Sequence, residues 1–427
     1  MGVLRWRSRL DAEIALVSSQ PLFRLDLEIL IALRLAIYQF LWLDRVPQRA
    51  ALHESVELVK RARKRSAAPF VNAVLRKLSL RPRNKEAASN QTALPEVLAS
   101  TFAHPLWLVE RWCREYGLSF AHQICRYNQQ IPATAIRLRT PVAPEHLEEE
   151  ELGKEGITLA PGRLLAPARC VQAGEVTKTQ TFLSGKIVIQ DEASQLVASL
   201  MGSLASQEKL RILDCCAAPG MKTLAMSDEN PSATIVAVEL HPHRARLLQN
   251  LVHAHESRVQ IVVADAQHLP FSFPFDSVLA DVPCSGTGTL ARNPEIKWRL
   301  KVEDLADLHA RQVAILRSAM AQVASGGCLV YSTCSLEKEE NEDVIEQVLF
   351  GDNRSGIKRS VDNRSDNSFS EGNSFRLRDC RAALDQLKNS GELTWPDPTS
   401  LTRGLYLRTV PGVHPCDGFF AAILERI

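Results

Sequence analysis

The chain has 427 residues, of which 45% are hydrophobic and 23% are charged. This length suggests two to four domains, and the composition is ordinary for a soluble globular protein, so size alone requires no stabilising metal or disulfide. The net charge of +2 is unevenly distributed, because the stretch from Arg45 to Lys85 contains 12 Lys and Arg against 2 Asp and Glu. A block this basic suits the phosphate backbone of a nucleic acid, and it equally suits a solvated helix face.

Neither secretion nor membrane insertion fits the sequence. The first ten residues, MGVLRWRSRL, carry arginines where a signal peptide needs an apolar run, and they lack the Ser or Thr of a myristoylation signal. The longest apolar run, 29–43, contains Arg34 and is too short to span a bilayer. None of the cysteines forms a Cys-X-X-Cys pair. We therefore expect a cytoplasmic monomer with reduced thiols and no metal.

The first part of the chain is predicted to be all-helical. Apolar residues recur at helical spacing over 25–43, 51–65 and 66–80, with Pro47 and Pro69 as breaks. Because no strand pattern interrupts these segments, we expect an all-α domain over residues 1–90. A linker is predicted at 82–95, where polar residues, Pro and Asn cluster.

A small α+β domain is expected over residues 95–185, and an α/β domain over 186–427. The smaller one contains a predicted helix at 104–130 and the extended stretch 133–140. In the larger one, short apolar runs alternate with helical segments, which predicts a parallel sheet with helices on both faces. The five runs are RILDCC, TIVAVEL, VQIVVADA, FDSVLADV and GGCLVYSTC. The polar segment 351–375 is predicted to be a mobile surface loop, and FFAAILERI at the end of the chain a last strand.

Acidic residues stand at the ends of the first three predicted strands. Asp214 ends the first, Glu239 the second and Asp265 the third. Ligands bind at the carboxyl ends of such strands, although each acid alone could merely cap the next helix. The turn after Asp214 has a Pro-Gly pair in place of Gly-X-Gly-X-X-Gly, so a dinucleotide pyrophosphate is disfavoured. Together the three acids indicate a ligand with adenosine but no phosphates, and S-adenosylmethionine fits that description.

Two cysteines stand at the ends of the fourth and fifth strands. Cys284 lies in Asp281-Val282-Pro283-Cys284, and Cys334 lies in the stretch YSTCS. A cysteine is ordinarily a small packing residue, which is the interpretation for five others in this chain. Those five are Cys113, Cys125, Cys170, Cys328 and Cys380. A zinc site at Cys284 and Cys334 would lack two further ligands at suitable spacing.

A thiolate beside a methyl donor indicates one particular reaction. Carbon 5 of a pyrimidine is too weak a nucleophile to attack a methyl sulfonium, but it becomes nucleophilic once a thiolate has added to carbon 6. Asp281 is positioned in the sequence to stabilise that adduct at ring N3 and the amino group. Methylation of an amino group is disfavoured, because the enzymes that perform it carry an acid-Pro-Pro-aromatic turn where this chain has Asp281-Val282-Pro283-Cys284.

At these residues the chain resembles the bacterial 16S ribosomal RNA (cytosine-5)-methyltransferases of the Sun/RsmB type. That family joins a NusB-like helical domain to a NOL1/NOP2/Sun methyltransferase domain with a Rossmann-like fold. The resemblance covers nearly the whole chain. Its matching stretches are FVNAVLRKL, HPLWLVERW, IQDEASQLVA, CAAPGMKT, DVPCSGTGTLARNPEIKWR, YSTCSLEKEENE and DGFFAAIL.

The resemblance implies a role for each matching residue. Cys334 would be the nucleophile, and Cys284 would assist product release. Asp281 and Lys222 would complete the catalytic group. The implied S-adenosylmethionine site contains Cys216, Ala217, Ala218, Pro219, Gly220, Met221, Lys222, Glu239, Asp265 and Asp281. The implied substrate is small-subunit ribosomal RNA, gripped by the basic block.

Some features depart from the family pattern. Met221 stands where a second Gly is usual and Glu239 where Asp is usual, and the helical domain is expected to be short at its N-terminus. Four residues after the Pro-Cys motif are candidates to line the base channel, although core packing is an equal alternative for Trp298. They are Arg292, Lys297, Trp298 and Arg299. Two other functions stay open: an RNA-binding module with an inactive methyltransferase domain, and a cytosine-5 methyltransferase of transfer RNA.

Overall fold

The computed structural model describes six stretches of the chain. They are residues 1–81, 94–139, 147–203, 210–255, 257–351 and 374–427. Most of the predicted linker at 82–95 and of the predicted loop at 351–375 lies outside them. The chain divides into two units: Met1–Ile131 with Leu290–Arg299, and Pro132–Thr289 with Leu300–Ile427.

The first unit is helical, as the periodicity of the sequence predicts. Its helices are α1 (Gly2–Arg5), α2 (Arg7–Val17), α3 (Leu27–Trp42), α4 (Gln48–Arg61), α5 (Ala68–Ser79), α6 (Pro95–Thr101) and α7 (Leu106–Asn128). The apolar faces of α2 to α5 form one core, which includes Leu33, Ile37 and Leu75. Helix α7 is broken at Gly117, whose φ of 80° lies in the region that favours glycine.

Arg34, the charge inside the longest apolar run, is buried in this unit. Its guanidinium forms two parallel hydrogen bonds with the Asp11 carboxylate, from Nε to Oδ1 at 2.6 Å and from Nη2 to Oδ2 at 2.7 Å. A bidentate pair of this kind satisfies the charge within a helical core. Among the described residues, no helix has the length and apolar character needed to cross a membrane.

The second unit begins with a four-stranded antiparallel sheet of order β2-β3-β1-β4. Its elements are β1 (Thr134–Leu138), α8 (Leu147–Lys154), β2 (Thr158–Pro161), β3 (Ala168–Ala173), α9 (Gln180–Leu183) and β4 (Ile187–Ile189). A small core between the sheet and α8 includes Ile136, Leu152 and Ile187. The sequence predicts mixed α and β structure here, although α6 and α7, which fall within the predicted domain 95–185, belong to the first unit.

A nine-stranded mixed sheet makes up the rest of the second unit. Its strands are β5 (Arg211–Asp214), β6 (Thr234–Glu239), β7 (Val259–Val263), β8 (Phe275–Asp281), β9 (Val323–Thr333), β10 (Phe375–Arg378), β11 (Thr402–Arg403), β12 (Tyr406–Arg408) and β13 (Phe420–Arg426). The accompanying helices are α10 (Glu192–Ser203), α11 (Met221–Glu229), α12 (Pro242–Ala254), α14 (Asp304–Ala321), α15 (Glu342–Phe350) and α16 (Cys380–Asn389). The short helix α13 (Ile296–Arg299) belongs to the first unit.

The strand order is β11-β12-β13-β9-β8-β5-β6-β7, with β10 paired to β13. The five predicted strands, β5 to β9, are parallel, and the predicted last strand, β13, is antiparallel to β9. The order reverses between β5 and β8, where the chain crosses from one half of the sheet to the other. Ligands of open α/β sheets bind at such a switch point, outside the carboxyl ends of the strands.

The two sheets of the second unit are joined by buried charges. Asp228 of α11 accepts hydrogen bonds from Arg137 of β1 at 2.7 Å and from Arg139, just after β1, at 2.6 Å. Arg139 also donates to the carbonyl oxygen of Gly185 at 3.0 Å. One carboxylate therefore pairs with two arginines, and the small sheet is fixed to the large one.

Candidate functional site

The turn between β5 and α11 is held from two sides. Gly220 has a φ of 114°, and a Cβ there would lie 2.5 Å from Leu248 Cδ1. Both the backbone angle and the space therefore require glycine at this position. On the other side, Arg244 Nη2 donates to the carbonyl oxygen of Ala218 at 2.7 Å, and the Ala218–Pro219 peptide bond is cis. The predicted binding loop is thus a fixed turn at the start of a helix.

Asp214, at the end of β5, is buried below this turn. Its Oδ2 accepts a hydrogen bond from Thr223 Oγ1 at 2.7 Å, and its Oδ1 accepts one from the backbone N–H of Cys216 at 3.4 Å. Burial raises the pKa of Asp214 to about 7, with the nearby Asp281 charge adding to the shift. Its contacts are with the turn itself, so Asp214 holds the loop in place.

Lys222 and Asp281 form an ion pair at the switch point. Lys222 Nζ donates to Asp281 Oδ2 at 2.8 Å, and Ser332 Oγ donates to Asp281 Oδ1 at 2.7 Å. Burial lowers the pKa of Lys222, but the Asp281 carboxylate outweighs burial and the net pKa is raised. Lys222 also lies 5.0 Å from the centre of the Phe419 ring, a cation–π contact. Lys222 is therefore a cation and not a general base.

The two cysteines of the strand ends lie in contact. Cys284 Sγ and Cys334 Sγ are 3.3 Å apart. The adjacency of β8 and β9, which the sequence predicts, causes this, since Asp281 and Ser332 are partners in the parallel ladder. The hydrogen bond with Cys334 and then burial raise the pKa of Cys284 well above its usual value. Cys284 is thus a neutral thiol that can share its proton with the second sulfur.

The other two predicted acids lie at the ends of their strands. Glu239 Oε1 accepts a hydrogen bond from the backbone N–H of His241 at 2.9 Å and lies 3.6 Å from Arg244 Nη1. Asp265 Oδ1 accepts from the backbone N–H of Gln267 at 2.9 Å. Both carboxylates therefore cap the chain that follows them, which was the alternative to ligand binding, and Glu239 makes both contacts with one oxygen.

Of the four candidates for a base channel, Lys297 is in a different environment from the one expected, whereas Arg299 is exposed and Arg292 and Trp298 are half-buried. The segment 290–299 belongs to the helical unit, and Lys297 is 1% exposed there. Lys297 Nζ donates to the carbonyl oxygens of Arg5 and Ala103, both at 2.8 Å, and Trp298 Nε1 donates to that of Leu4 at 2.6 Å. The prediction that Lys297 lines a base channel was wrong, because Lys297 is buried and its ammonium group is satisfied by two backbone carbonyls. The sequence reveals its charge but not those partners.

The packing interpretation of the remaining cysteines holds for most of them. Cys125, Cys328 and Cys380 are buried, whereas Cys113 and Cys170 are half-buried. Within the six described stretches, no group of three or more His, Cys, Asp or Glu residues could hold a metal ion.

Sequence reasoning missed several residues that complete the site. Ser332 and Phe419 contact Asp281 and Lys222, and Arg244 supports the turn. Ser332 and Phe419 are contained in the quoted stretches YSTCSLEKEENE and DGFFAAIL. For Ser332 and Phe419, their position inside a stretch that matches the family was therefore the signal that could have identified them. The long-range contact of Arg244 leaves no local signal.

Known proteins resemble this chain over nearly its whole length. The family model described as 16S rRNA methyltransferase RsmB/F matches residues 201–425, and that of the NusB family matches residues 1–80. The probable ribosomal RNA small subunit methyltransferase B of Bacillus subtilis is 34% identical over 323 residues, which are 73% of this chain and 70% of that protein. The ribosomal RNA small subunit methyltransferase B of Vibrio cholerae is 30% identical over 353 residues, 82% of this chain and 79% of that protein.

A solved structure gives the same result for the fold. The crystal structure of PH0851 covers 99% of this chain, and the chain covers 88% of it, with a TM-score of 0.77 at 23% identity. The RsmB/F family match, over residues 201–425, includes the Pro-Cys loop, the Thr-Cys loop and the β5–α11 turn. The NusB family match, over residues 1–80, contains the helices α1 to α5. The fold expected from the sequence, a NusB-like helical domain followed by mixed and α/β parts, is confirmed. The chain belongs to the 16S rRNA methyltransferase RsmB/F family.

Proposed function

We propose that this protein methylates carbon 5 of a cytosine in 16S ribosomal RNA, with S-adenosylmethionine as methyl donor. Cys334 forms a transient bond to carbon 6 of the base, and Cys284 assists its release. The observation that carries this proposal is the 3.3 Å separation of the two sulfur atoms beside the Lys222–Asp281 pair. A methyl transfer to oxygen or to an amino nitrogen does not require a thiolate to activate the base, so it does not explain two thiols at this position.

The proposed reaction has three steps, and atoms and charges balance in each. The Cys334 thiolate adds to carbon 6, which makes carbon 5 nucleophilic. Carbon 5 then attacks the methyl group of the donor, the methyl–sulfur bond breaks, and S-adenosylhomocysteine is the leaving group. Finally a base removes the carbon-5 proton, the Cys334–carbon bond breaks and the aromatic ring returns. The thiol proton of Cys334 must leave before the first step, and a proton must be accepted in the last.

The division of roles between the cysteines is the one that the family resemblance implies, and the environment of Cys284 supports it. A neutral thiol cannot attack carbon 6, and Cys284 is held neutral by its contact with Cys334 and by burial. A neutral thiol in contact with the attacking sulfur can donate a hydrogen bond to it as a thiolate and so stabilise it as a leaving group. This favours Cys334 as nucleophile and Cys284 as the residue of release.

Asp281 is the residue proposed to hold the target base. Lys222 and Ser332 donate to its two oxygens, which fixes the plane of the carboxylate. Its side chain stays 27% exposed, so its edge can accept a hydrogen bond from the amino group of the base and from ring N3 when that nitrogen is protonated. Lys222 supplies a nearby positive charge, which stabilises negative charge on the pyrimidine ring during the addition.

The predicted donor site suits S-adenosylmethionine. The turn between β5 and α11 is held by Arg244 and by the close packing of Gly220 against Leu248, so its backbone is fixed before a donor binds. Glu239 uses only Oε1 for contacts among the described residues, so Oε2 can accept from a ribose hydroxyl. Asp265 and Asp281 complete the proposed set. Bound there, S-adenosylmethionine supplies an electrophilic methyl group.

The basic block is proposed to bind the RNA backbone. Arg61, Arg63 and Arg65 are exposed at and after the end of α4, where phosphates can reach them. The proposed division of labour assigns RNA binding to residues 1–90 and 95–185, and methyl transfer to residues 186–427. Neutralising phosphates releases counterions, so this binding should weaken steeply with added salt.

Methyl transfer to defined RNAs tests the proposal. Purified protein is incubated with labelled S-adenosylmethionine and with small-subunit ribosomal RNA lacking its modifications, and bisulfite sequencing then locates 5-methylcytosine. The proposal expects one methylated cytosine in that RNA. Methylation of transfer RNA alone would favour the transfer-RNA enzyme. No transfer to either RNA, with folded protein that binds RNA, would favour a binding module.

A further inference from the structure

Glu340 lies under both cysteine-bearing loops and takes no part in the reaction described above. It is fully buried, at 0% exposure, in a turn that follows β9. Its Oε1 accepts hydrogen bonds from the backbone N–H of Ser285 at 2.7 Å and from Gln312 Nε2 at 2.9 Å. Its Oε2 accepts from the hydroxyls of Ser285 and Ser335, the latter at 2.5 Å. Four donors thus converge on one carboxylate.

The donors come from the residues next to the two cysteines. Ser285 follows Cys284 directly, and Ser335 follows Cys334 directly. The two serine hydroxyls also lie 3.0 Å from one another. The carboxylate therefore joins the loops of two different strands at the positions adjoining the reactive sulfurs.

Other contacts also join the two loops, among them the backbone N–H of Val282, which donates to the carbonyl oxygen of Ser332 at 3.0 Å, two residues before each cysteine. Gly288 N–H donates to the carbonyl oxygen of Cys334 at 2.9 Å, and Leu336 N–H donates to Thr287 Oγ1 at the same distance. Gly288 is four residues beyond Cys284 in the chain. Glu340, in contrast, contacts the residue adjacent to each cysteine, so it fixes the two peptide segments together next to both sulfurs.

We propose that Glu340 is a positioning residue, which holds the Cys284 and Cys334 sulfurs in contact by bridging Ser285 and Ser335. This inference rests on the proposed function, since a fixed distance between the sulfurs matters only if one attacks and the other assists release. Displacement of a reacting group by about 1 Å can cost about 100-fold in rate. Loss of the carboxylate should therefore lower kcat and leave the KM for both substrates unchanged.

Glu340→Gln is the test variant, because it keeps the size of the side chain but removes the charge and one acceptor atom. Glu192→Gln is the matched control. Glu192 is likewise buried, at 2% exposure, and accepts from the backbone N–H groups of Leu164 and Leu165, but it contacts no residue of the cysteine loops. Both variants receive the same chemical change at a carboxylate bound by backbone donors.

Two readouts are taken from each protein. The first is the kcat and KM of methyl transfer. The second is the rate at which diamide, an azo oxidant, converts the Cys284–Cys334 pair to a disulfide, with both thiol hydrogens passing to the oxidant. Peptide mass spectrometry identifies the linked pair by its loss of two hydrogens. This second readout needs no RNA and no methyl donor.

We expect Glu340→Gln to lower kcat by about 10- to 100-fold and to slow disulfide formation, whereas Glu192→Gln changes neither. Equal behaviour of the two variants would overturn the proposal, and so would a loss of kcat with an unchanged rate of disulfide formation. If the wild-type protein transfers no methyl group, the proposed function fails, but the disulfide rates still test the positioning. Should Glu340→Gln not fold, Ser335→Ala removes one donor from the carboxylate and should shift both readouts in the same direction.

Discussion

Replacement of Lys297 by Met should alter the pH dependence of folding in the helical unit. Lys297 is buried and donates to two backbone carbonyls, and burial, followed by the Arg5 charge, lowers its pKa from 10.5 to about 7. A shift of this size corresponds to about 5 kcal/mol of difference between the protonation states. The Met side chain keeps the aliphatic stem and removes the titrating group.

The sign of the effect follows from proton binding. Between pH 7 and 10.5 the unfolded chain keeps the Lys297 proton while the folded chain loses it. The free energy of unfolding contributed by this group therefore rises with pH in that window. From pH 7 to pH 9 the wild type should gain about 2 kcal/mol relative to Lys297→Met.

Urea unfolding at pH 7 and pH 9, followed by tryptophan fluorescence, measures this difference. Five of the six tryptophans lie in the helical unit, so the signal reports mainly on that unit. Lys77→Met, at an exposed lysine of α5, is the control and should show no such change with pH. A gap between wild type and Lys297→Met that is the same at both pH values would refute the reasoning, because Lys297 would then stay charged in the folded state.

Three further predictions concern other parts of the molecule. Asp214 has a pKa raised to about 7 by burial, so its contribution to stability is lost as pH rises from about 4 to 7. Asp214→Asn should abolish that loss in thermal unfolding, and an unchanged pH profile would contradict it. Asp228→Ala leaves Arg137 and Arg139 without their shared carboxylate, and should destabilise the second unit by about 3 to 5 kcal/mol in denaturant unfolding; a change near zero would contradict the buried pairing. If the proposed RNA binding is correct, neutralising Arg61 and Arg65 together should reduce the slope of log affinity against log salt by about 1.5 to 2, as measured by filter binding. An unchanged slope would mean that Arg61 and Arg65 do not contact the RNA phosphates.

The parts of the site that the sequence predicts are those that follow from strand order. Short apolar runs placed Asp281 and Cys284 after one strand and Cys334 after another, and parallel strands end at the same edge of a sheet. The contact of the two sulfurs at 3.3 Å is a consequence of that geometry. The stretches that match the family contain the same residues and indicate the same site.

The parts that could not be predicted depend on contacts between distant segments. Lys297 follows the Pro-Cys motif in the sequence, and its positive charge suggested contact with RNA. Its carbonyl partners, Arg5 and Ala103, are 292 and 194 residues away in the chain. Likewise, the long-range bond of Arg244 to the β5–α11 turn and the carboxylate of Glu340 under both cysteine loops leave no pattern of spacing. A local pattern predicts an element and its ends, whereas such partners are determined by how the elements pack.

Isolation of a covalent protein–RNA complex tests the central claim most directly. Cys284→Ala protein is incubated with S-adenosylmethionine and unmodified small-subunit RNA, denatured and digested, and the nucleotide-bearing peptide is identified by mass spectrometry. The account predicts a methylated cytosine nucleotide attached to Cys334, and no such complex with Cys334→Ala, which should also be inactive. A nucleotide on Cys284 in the Cys334→Ala protein, or methyl transfer by that variant, would contradict it.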